Sequence, residues 1–186
     1  DLLHSVNLSF RQFRDPKLVE TLFRILYNAN VDTTCFELEL TESTLAFDHD
    51  HACRCMTELT RLGLRFALDD FGTGYASFGN LRHLPVSSVK IDRSFVAQAD
   101  RRPEDAALLG GMISLSHQLG LTVVAEGVEN GEQLEFLRNH DCDQAQGHLI
   151  ASALPFDDLC TWLAGAGGEG LVDRASAAWT AREGKK

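Results

Sequence analysis

Short runs of β-like pattern and longer amphipathic helical runs alternate along the chain at least six times. The strand candidates are HSVNLS (4–9), CFELELT (35–41), LRFALDD (64–70), SVKID (88–92), LTVVAE (121–126) and QAQGHL (144–149). Between them apolar residues fall at helical spacing: Leu18, Leu22, Ile25 and Leu26, then Met56, Leu59 and Leu62, then Leu108, Ile113 and Leu119, then Leu134 and Leu137. Strand followed by helix, repeated without exception, predicts a parallel sheet with helical crossovers.

The repeat length sharpens the expectation. One polar residue anchors each strand near its end: Asn7, Glu39, Asp69, Lys90, Glu126 and Gln146. Five steps between them average roughly 28 residues, the size of a βαβ repeat. The predicted class is therefore α/β, an incomplete TIM-like (β/α)8 barrel with about six parallel strands and flanking helices. A barrel of eight units runs to about 250 residues, so two units are expected to precede Asp1, leaving a wedge between the strand of Asn7 and the strand of Gln146. Residues 1–164 read as this partial domain. After them GAGGEG (165–170) has four glycines in six residues, so 165–186 read as a Gly-rich linker and C-terminal tail.

Alternation within the strands sorts side chains between the helix-packed outer face and the lumen. With Phe36, Leu38 and Leu40 outward, Glu37 and Glu39 point inward. The same parity places Val6 and Leu8 outward with Asn7 inward, Phe66 and Leu68 outward with Asp69 inward, and Val89 and Ile91 outward with Lys90 and Asp92 inward. Glu126 and Gln146 close their strands. With Asp70, these polar groups gather at the C-terminal ends of parallel strands, where barrel enzymes build their sites.

Composition narrows the chemistry. The chain has 44% hydrophobic residues, enough for a real core, and 27 acidic against 17 basic residues, a net charge of −10. That balance argues against duplex nucleic acid, whose binding needs a basic face. No run of 18 apolar residues and no signal-peptide pattern is present, so the expected location is cytoplasmic. Five cysteines, at 35, 53, 55, 142 and 160, form no secreted disulfide spacing and are expected to be reduced packing thiols.

Glu39, Asp69, Asp70 and Glu126 in one mouth need counter-charge. Oxygen-only ligands suit Mg2+ or Mn2+, and adjacent Asp69 and Asp70 suit two ions about 3.5 to 4 Å apart, with Lys90 as a charge for phosphate or a water-orienting group. The structural alternative is an inward salt-bridge network around Lys90. Two local signals compete. HDHACRC (49–55) holds potential zinc ligands, but on a helix 49/53 and 51/55 form two separated pairs. FGTGYASFG lacks the complete spacing of a dinucleotide-binding loop.

The stretches SVNLS, FELELTES, DDFGTGYASF, LPVSSVKIDRSF, VVAEGVEN and DCDQAQGHL together resemble, in order, the signatures of the EAL family of cyclic di-GMP phosphodiesterases. The resemblance implies metal ligation by Asn7, Glu39, Asp69, Asp70 and Glu126, with two Mg2+ or Mn2+ ions as cofactors. It implies catalytic roles for Lys90, Glu126 and Gln146, and supporting roles for Glu42, Glu129 and the loop residues Phe71, Gly72, Thr73 and Gly74. Asp92 is read as a substrate-binding residue. The family's Glu-Ala-Leu strand, with a further metal ligand, is expected upstream of Asp1. His148, Ser87 and Ala153 depart from the family pattern at the rim.

The implied activity is hydrolysis of cyclic di-GMP to linear pGpG in bacterial signalling. A non-catalytic sensor of cyclic di-GMP, or a scaffold, is the competing reading. The implied partners are cyclic di-GMP, a second copy in a homodimer, with the 71–77 loop linking the metal site to the dimer interface, and an upstream sensory domain.

Overall fold

The computed structural model describes residues 2–46, 49–74, 81–99 and 101–164. In chain order these form β1 (His4–Asn7), α1 (Phe10–Phe13), α2 (Leu18–Ala29), β2 (Phe36–Thr41), α3 (Glu42–Ala46), α4 (His49–Arg61), β3 (Arg65–Phe71), β4 (Ser88–Ile91), α5 (Arg93–Val96), α6 (Pro103–Gln118), β5 (Thr122–Ala125), α7 (Gly131–Asn139), β6 (Gln144–Ala145) and α8 (Phe156–Ala164). The expected tail at 165–186 lies outside the described residues.

All strand pairs are parallel, in the order β1-β2-β3-β4-β5-β6. The sheet is a curled half-barrel. Among the described residues β1 pairs only with β2 and β6 only with β5, so both edges are open as the unit count anticipates. Every residue of β1 is exposed, Val6 among them, and so are Leu2, Leu3 and Phe10.

The outer face of the sheet carries the core. Leu38, Leu40, Phe66, Leu68, Val89, Ile91, Val123 and Ala125 are buried against Met56 and Leu59 of α4, Leu109 and Ile113 of α6, and Leu137 of α7. Local chemistry starts the helices. Ser9 and Gln12 form a capping box at α1, Asn130 and Gln133 form another at α7, and Pro103 opens α6.

Two helix positions differ from the sequence reading. Leu108 is 50% exposed while Leu109 is buried with Met112, Ile113 and Ser116, the i, i+3, i+4, i+7 set that one helical face admits. Ile25 is likewise exposed, whereas Leu22 and Leu26 pack against the core. The final strand is also shorter than its pattern, β6 spanning two residues. In α4, Cys53 Sγ lies 3.7 Å from the carbonyl of His83 and Cys55 is buried among apolar groups, and among the described residues the 49–55 run forms no shared metal shell.

Candidate functional site

Strand register brings the inward polar residues to one end of the sheet. Asn7 pairs with Glu39, Glu39 with Ala67, and Thr41 with Asp69, so β1, β2 and β3 present their acidic and amide groups at neighbouring levels. On β4, Lys90 pairs with Val124 of β5, and Glu126 follows β5 directly.

Lys90 is the hub. Its Nζ lies 2.8 Å from Glu39 Oε1, 2.7 Å from Glu126 Oε1 and 3.9 Å from Asp69 Oδ1, with its side chain only 8% exposed. Burial opposes the ammonium charge, but hydrogen bonds to Glu126 and Glu39 outweigh it, and the lysine pKa is held above its ordinary 10.5. Burial raises the Glu126 carboxyl above its ordinary value, the Lys90 contacts pull against that, and Asp69 and Glu39 add to it. The salt-bridge network weighed from sequence is therefore real. It stands at the strand ends beside a second arrangement of acids.

Side-chain oxygens of Asp69, Asp70 and Glu126 lie within 4.8 Å of one another. Simple alternation would turn Asp70 away from Asp69. Instead the β3–β4 register shifts between Leu68 and Phe71, and Asp70 takes a left-handed φ of 53°. That conformation is tolerated by Asp better than by most residues. The Asp70 N–H donates to Asp69 Oδ1 at 3.0 Å. Desolvation and the neighbouring Asp69 and Asp92 carboxylates raise the Asp70 pKa. Three oxygen donors so close repel one another unless a cation or a proton intervenes, and their chemistry fits a hard divalent cation.

The loop after β3 is held from below. Glu42 Oε1 accepts the Gly72 N–H at 2.7 Å, and Thr73 Oγ1 donates to the Asp70 carbonyl at 2.8 Å. Gly72 has φ of 101°, and a Cβ there would collide with Phe95 and Met112; one at Gly74 would collide with the Glu42 carboxylate. Phe71 anchors the loop in the core. These contacts join Glu42, Phe71, Gly72, Thr73 and Gly74 into one support for Asp69 and Asp70. The remainder of FGTGYAS, from Tyr75, lies outside the described residues.

Four further expected residues are not among the ion pairs and the acidic trio described so far. Asn7 and Gln146 are exposed, Asn7 at the end of β1 and Gln146 just after β6, where its N–H donates to the Ala125 carbonyl at 2.8 Å. Glu129 is exposed, and its N–H donates to Gln133 Oε1 at 2.8 Å. Asp92 caps α5, with Oδ1 accepting from Ser94 N at 3.0 Å and Ser94 Oγ at 2.5 Å. Desolvation pushes its pKa up, but the Ser94 and Arg93 contacts together hold it below its ordinary value. Ser5 and Ser88 carry no signal in the sequence reading beyond their inward parity, yet both bond the buried Glu37.

Comparison with known proteins bears on the family and the fold. The family model described as "EAL domain" matches residues 1–153. The chain is 37% identical over 155 residues to the bifunctional diguanylate cyclase/cyclic di-GMP phosphodiesterase MucR of Pseudomonas aeruginosa, covering 83% of this chain and 23% of that protein. The solved MucR phosphodiesterase in complex with c-di-GMP superposes with a TM-score of 0.80 at 37% identity, over 83% of this chain and 63% of that one. The EAL domain of Mycobacterium smegmatis DcpA gives a TM-score of 0.84 at 35% identity, over 88% of this chain and 73% of that one. The chain spans about a fifth of the length of the curated relatives it matches.

Proposed function

The chain belongs to the EAL domain family, and from that premise we propose that the protein carrying it is a metal-dependent phosphodiesterase that hydrolyses cyclic di-GMP to linear pGpG. The observation that carries this reading is the convergence of Asp69, Asp70 and Glu126 oxygens within 4.8 Å at the strand ends, beside a buried lysine. Relatives named cyclic di-GMP phosphodiesterases, among them NbdA of Pseudomonas aeruginosa and PdeR of Escherichia coli, support it.

Asn7, Glu39, Asp69, Asp70 and Glu126 hold two Mg2+ or Mn2+ ions in this reading. When bound, such ions polarise phosphate oxygens, neutralise developing charge and acidify water. The protein's own groups do the rest. Lys90, held at 2.8 Å from Glu39 and 2.7 Å from Glu126, serves as a cationic donor that orients water or phosphate. Glu126, which bonds the Lys90 ammonium and belongs to the acidic trio, takes a catalytic role beside its ligand role. Gln146 offers an amide donor and acceptor at the rim, and Asp92 contacts the substrate. Glu42 and the 71–74 loop hold the Asp pair in place, while Glu129 supports the opposite rim.

The setting proposed for the whole protein is cytoplasmic, homodimeric and governed by an upstream sensory domain. Among the described residues no helix is long and apolar enough to cross a membrane.

The test uses the full-length protein with Mg2+ or Mn2+. Asp69→Asn removes charge at constant volume and abolishes formation of linear product, followed by chromatography. Lys90→Ala cripples turnover while cyclic di-GMP still binds in calorimetry. Wild-type protein that binds cyclic di-GMP yet forms no product would leave a sensor instead of an enzyme.

A further inference from the structure

One layer beneath these groups lies a buried carboxylate with no part in the chemistry above. Glu37 is 5% exposed and stands on the inner face of β2, two residues before Glu39. Its Oε2 accepts from Ser88 Oγ at 2.7 Å and its Oε1 accepts from Ser5 Oγ at 3.3 Å. A carboxylate taken out of water is costly unless hydrogen-bonded. Two serines, 32 and 51 positions away in sequence, provide those bonds from β1 and β4.

The arrangement repeats the one above it. Glu37 meets Ser88, and two residues further along both strands Glu39 meets Lys90. Both contacts pass over β3, where the inward residue between them is the fully buried Ala67, whose methyl leaves the span clear. Barrel layers are built from alternate strands in this manner. Ser5 in turn lies two residues before Asn7 on β1. An apolar side chain at 37 would fill the space but leave two hydroxyls to find other partners, and would fix neither strand.

We propose that Glu37 is a positioning residue. By bonding Ser5 and Ser88 it holds β1 and β4 at the spacing that lets Asn7 and Lys90, the next inward positions, converge on Glu39 and the cation ligands. The inference rests on the metal-centred reading of the site.

The test is Mn2+ affinity of the full-length protein, titrated by electron paramagnetic resonance, alongside kcat, KM and melting temperature. Glu37→Ala is expected to weaken Mn2+ binding about 10- to 100-fold, the usual effect of removing a group that orients metal ligands. Glu37→Gln is expected to stay within about threefold, because each serine hydroxyl both donates and accepts and so can satisfy an amide. Ser88→Ala is expected to weaken Mn2+ binding in part and to add little to Glu37→Ala, since Glu37→Ala already removes the Ser88 bond along with the Ser5 bond. A merely structural role would lower the melting temperature and leave the folded protein's Mn2+ affinity unchanged; that result overturns the proposal. So does a glutamine variant as damaged as alanine, which would point to charge and not to bonding. If Glu37→Ala fails to fold, unchanged Mn2+ affinity in Ser88→Ala is decisive against it. Wild-type protein that binds no Mn2+ sinks both this inference and the metal-dependent reading, whereas equal binding by wild type and Glu37→Ala sinks the inference alone.

Discussion

Lys90 Nζ sits 2.7 Å from Glu126 Oε1, an ion pair placed where two parallel strands end side by side. The same ammonium holds Glu39 at 2.8 Å, so one cation balances two carboxylates withdrawn from water. Removing the cation leaves those carboxylates facing each other.

Lys90→Met is therefore expected to destabilise the metal-free fold by about 3 to 5 kcal/mol, the range for breaking a buried pair from one side. Urea unfolding in a chelator measures it. A loss under about 1 kcal/mol, the range of exposed pairs, would show that water reaches the site freely.

Asp70 is the one member of the acidic trio whose backbone is left-handed, at φ 53°. A non-glycine residue there costs about 1 kcal/mol or more, and the carboxylate is also crowded by Asp69 and Asp92. Asp70→Gly relieves the strain and the repulsion but adds about 0.5 to 1 kcal/mol of unfolded-chain entropy, so the metal-free chain is expected to keep its stability within about 1 kcal/mol while turnover is abolished. Thermal melts and product assays on one preparation check both halves. A larger loss of stability together with activity would count against stored strain.

Gly72→Ala places a methyl against Phe95 and Met112 at a φ of 101°. The expected cost is about 1 to 3 kcal/mol, with the Glu42 contact to Gly72 loosened and kcat falling more than KM changes. Steady-state kinetics and melting curves read both, and an unaffected melting point would mean that the loop readjusts without loss.

Alkaline pH tests the core. Burial pushes the Cys142 thiol up to about 12 and the Cys55 thiol to about 11, from an ordinary 9.0. The unfolded chain thus loses these protons first. Stability from the neutral thiols is complete below pH 9 and falls as pH rises above it, by about 1.4 kcal/mol per pH unit for each thiol. Lys90, raised above 10.5, adds a loss only beyond that value. Between pH 9 and 10.5 Cys142→Ser should flatten the decline seen in urea titrations of the wild type; an identical slope would refute the assignment.

Period and parity in the sequence determine the parallel sheet, its helical crossovers and the inward set of Glu37, Glu39, Asp69, Lys90 and Glu126, because side-chain alternation in a strand is a local property of the extended backbone. The acidic character of the site is legible for the same reason: buried carboxylates at successive strand ends have few other uses. Which of two adjacent leucines at 108 and 109 faces the core was not legible, since a helix's rotation is set by what it packs against. Nor was the turn at Asp70. Alternation alone sends it away from Asp69, and only the register slip against β4 and the left-handed backbone bring the two carboxylates together with Glu126. The partners of Lys90 and Glu37 belong to the tertiary structure as well. Ser88 and Glu37 lie 51 positions apart, and no local rule pairs them. Their meeting follows from sheet curvature and from the small side chain of Ala67 on the strand between, quantities that exist only once the strands have assembled.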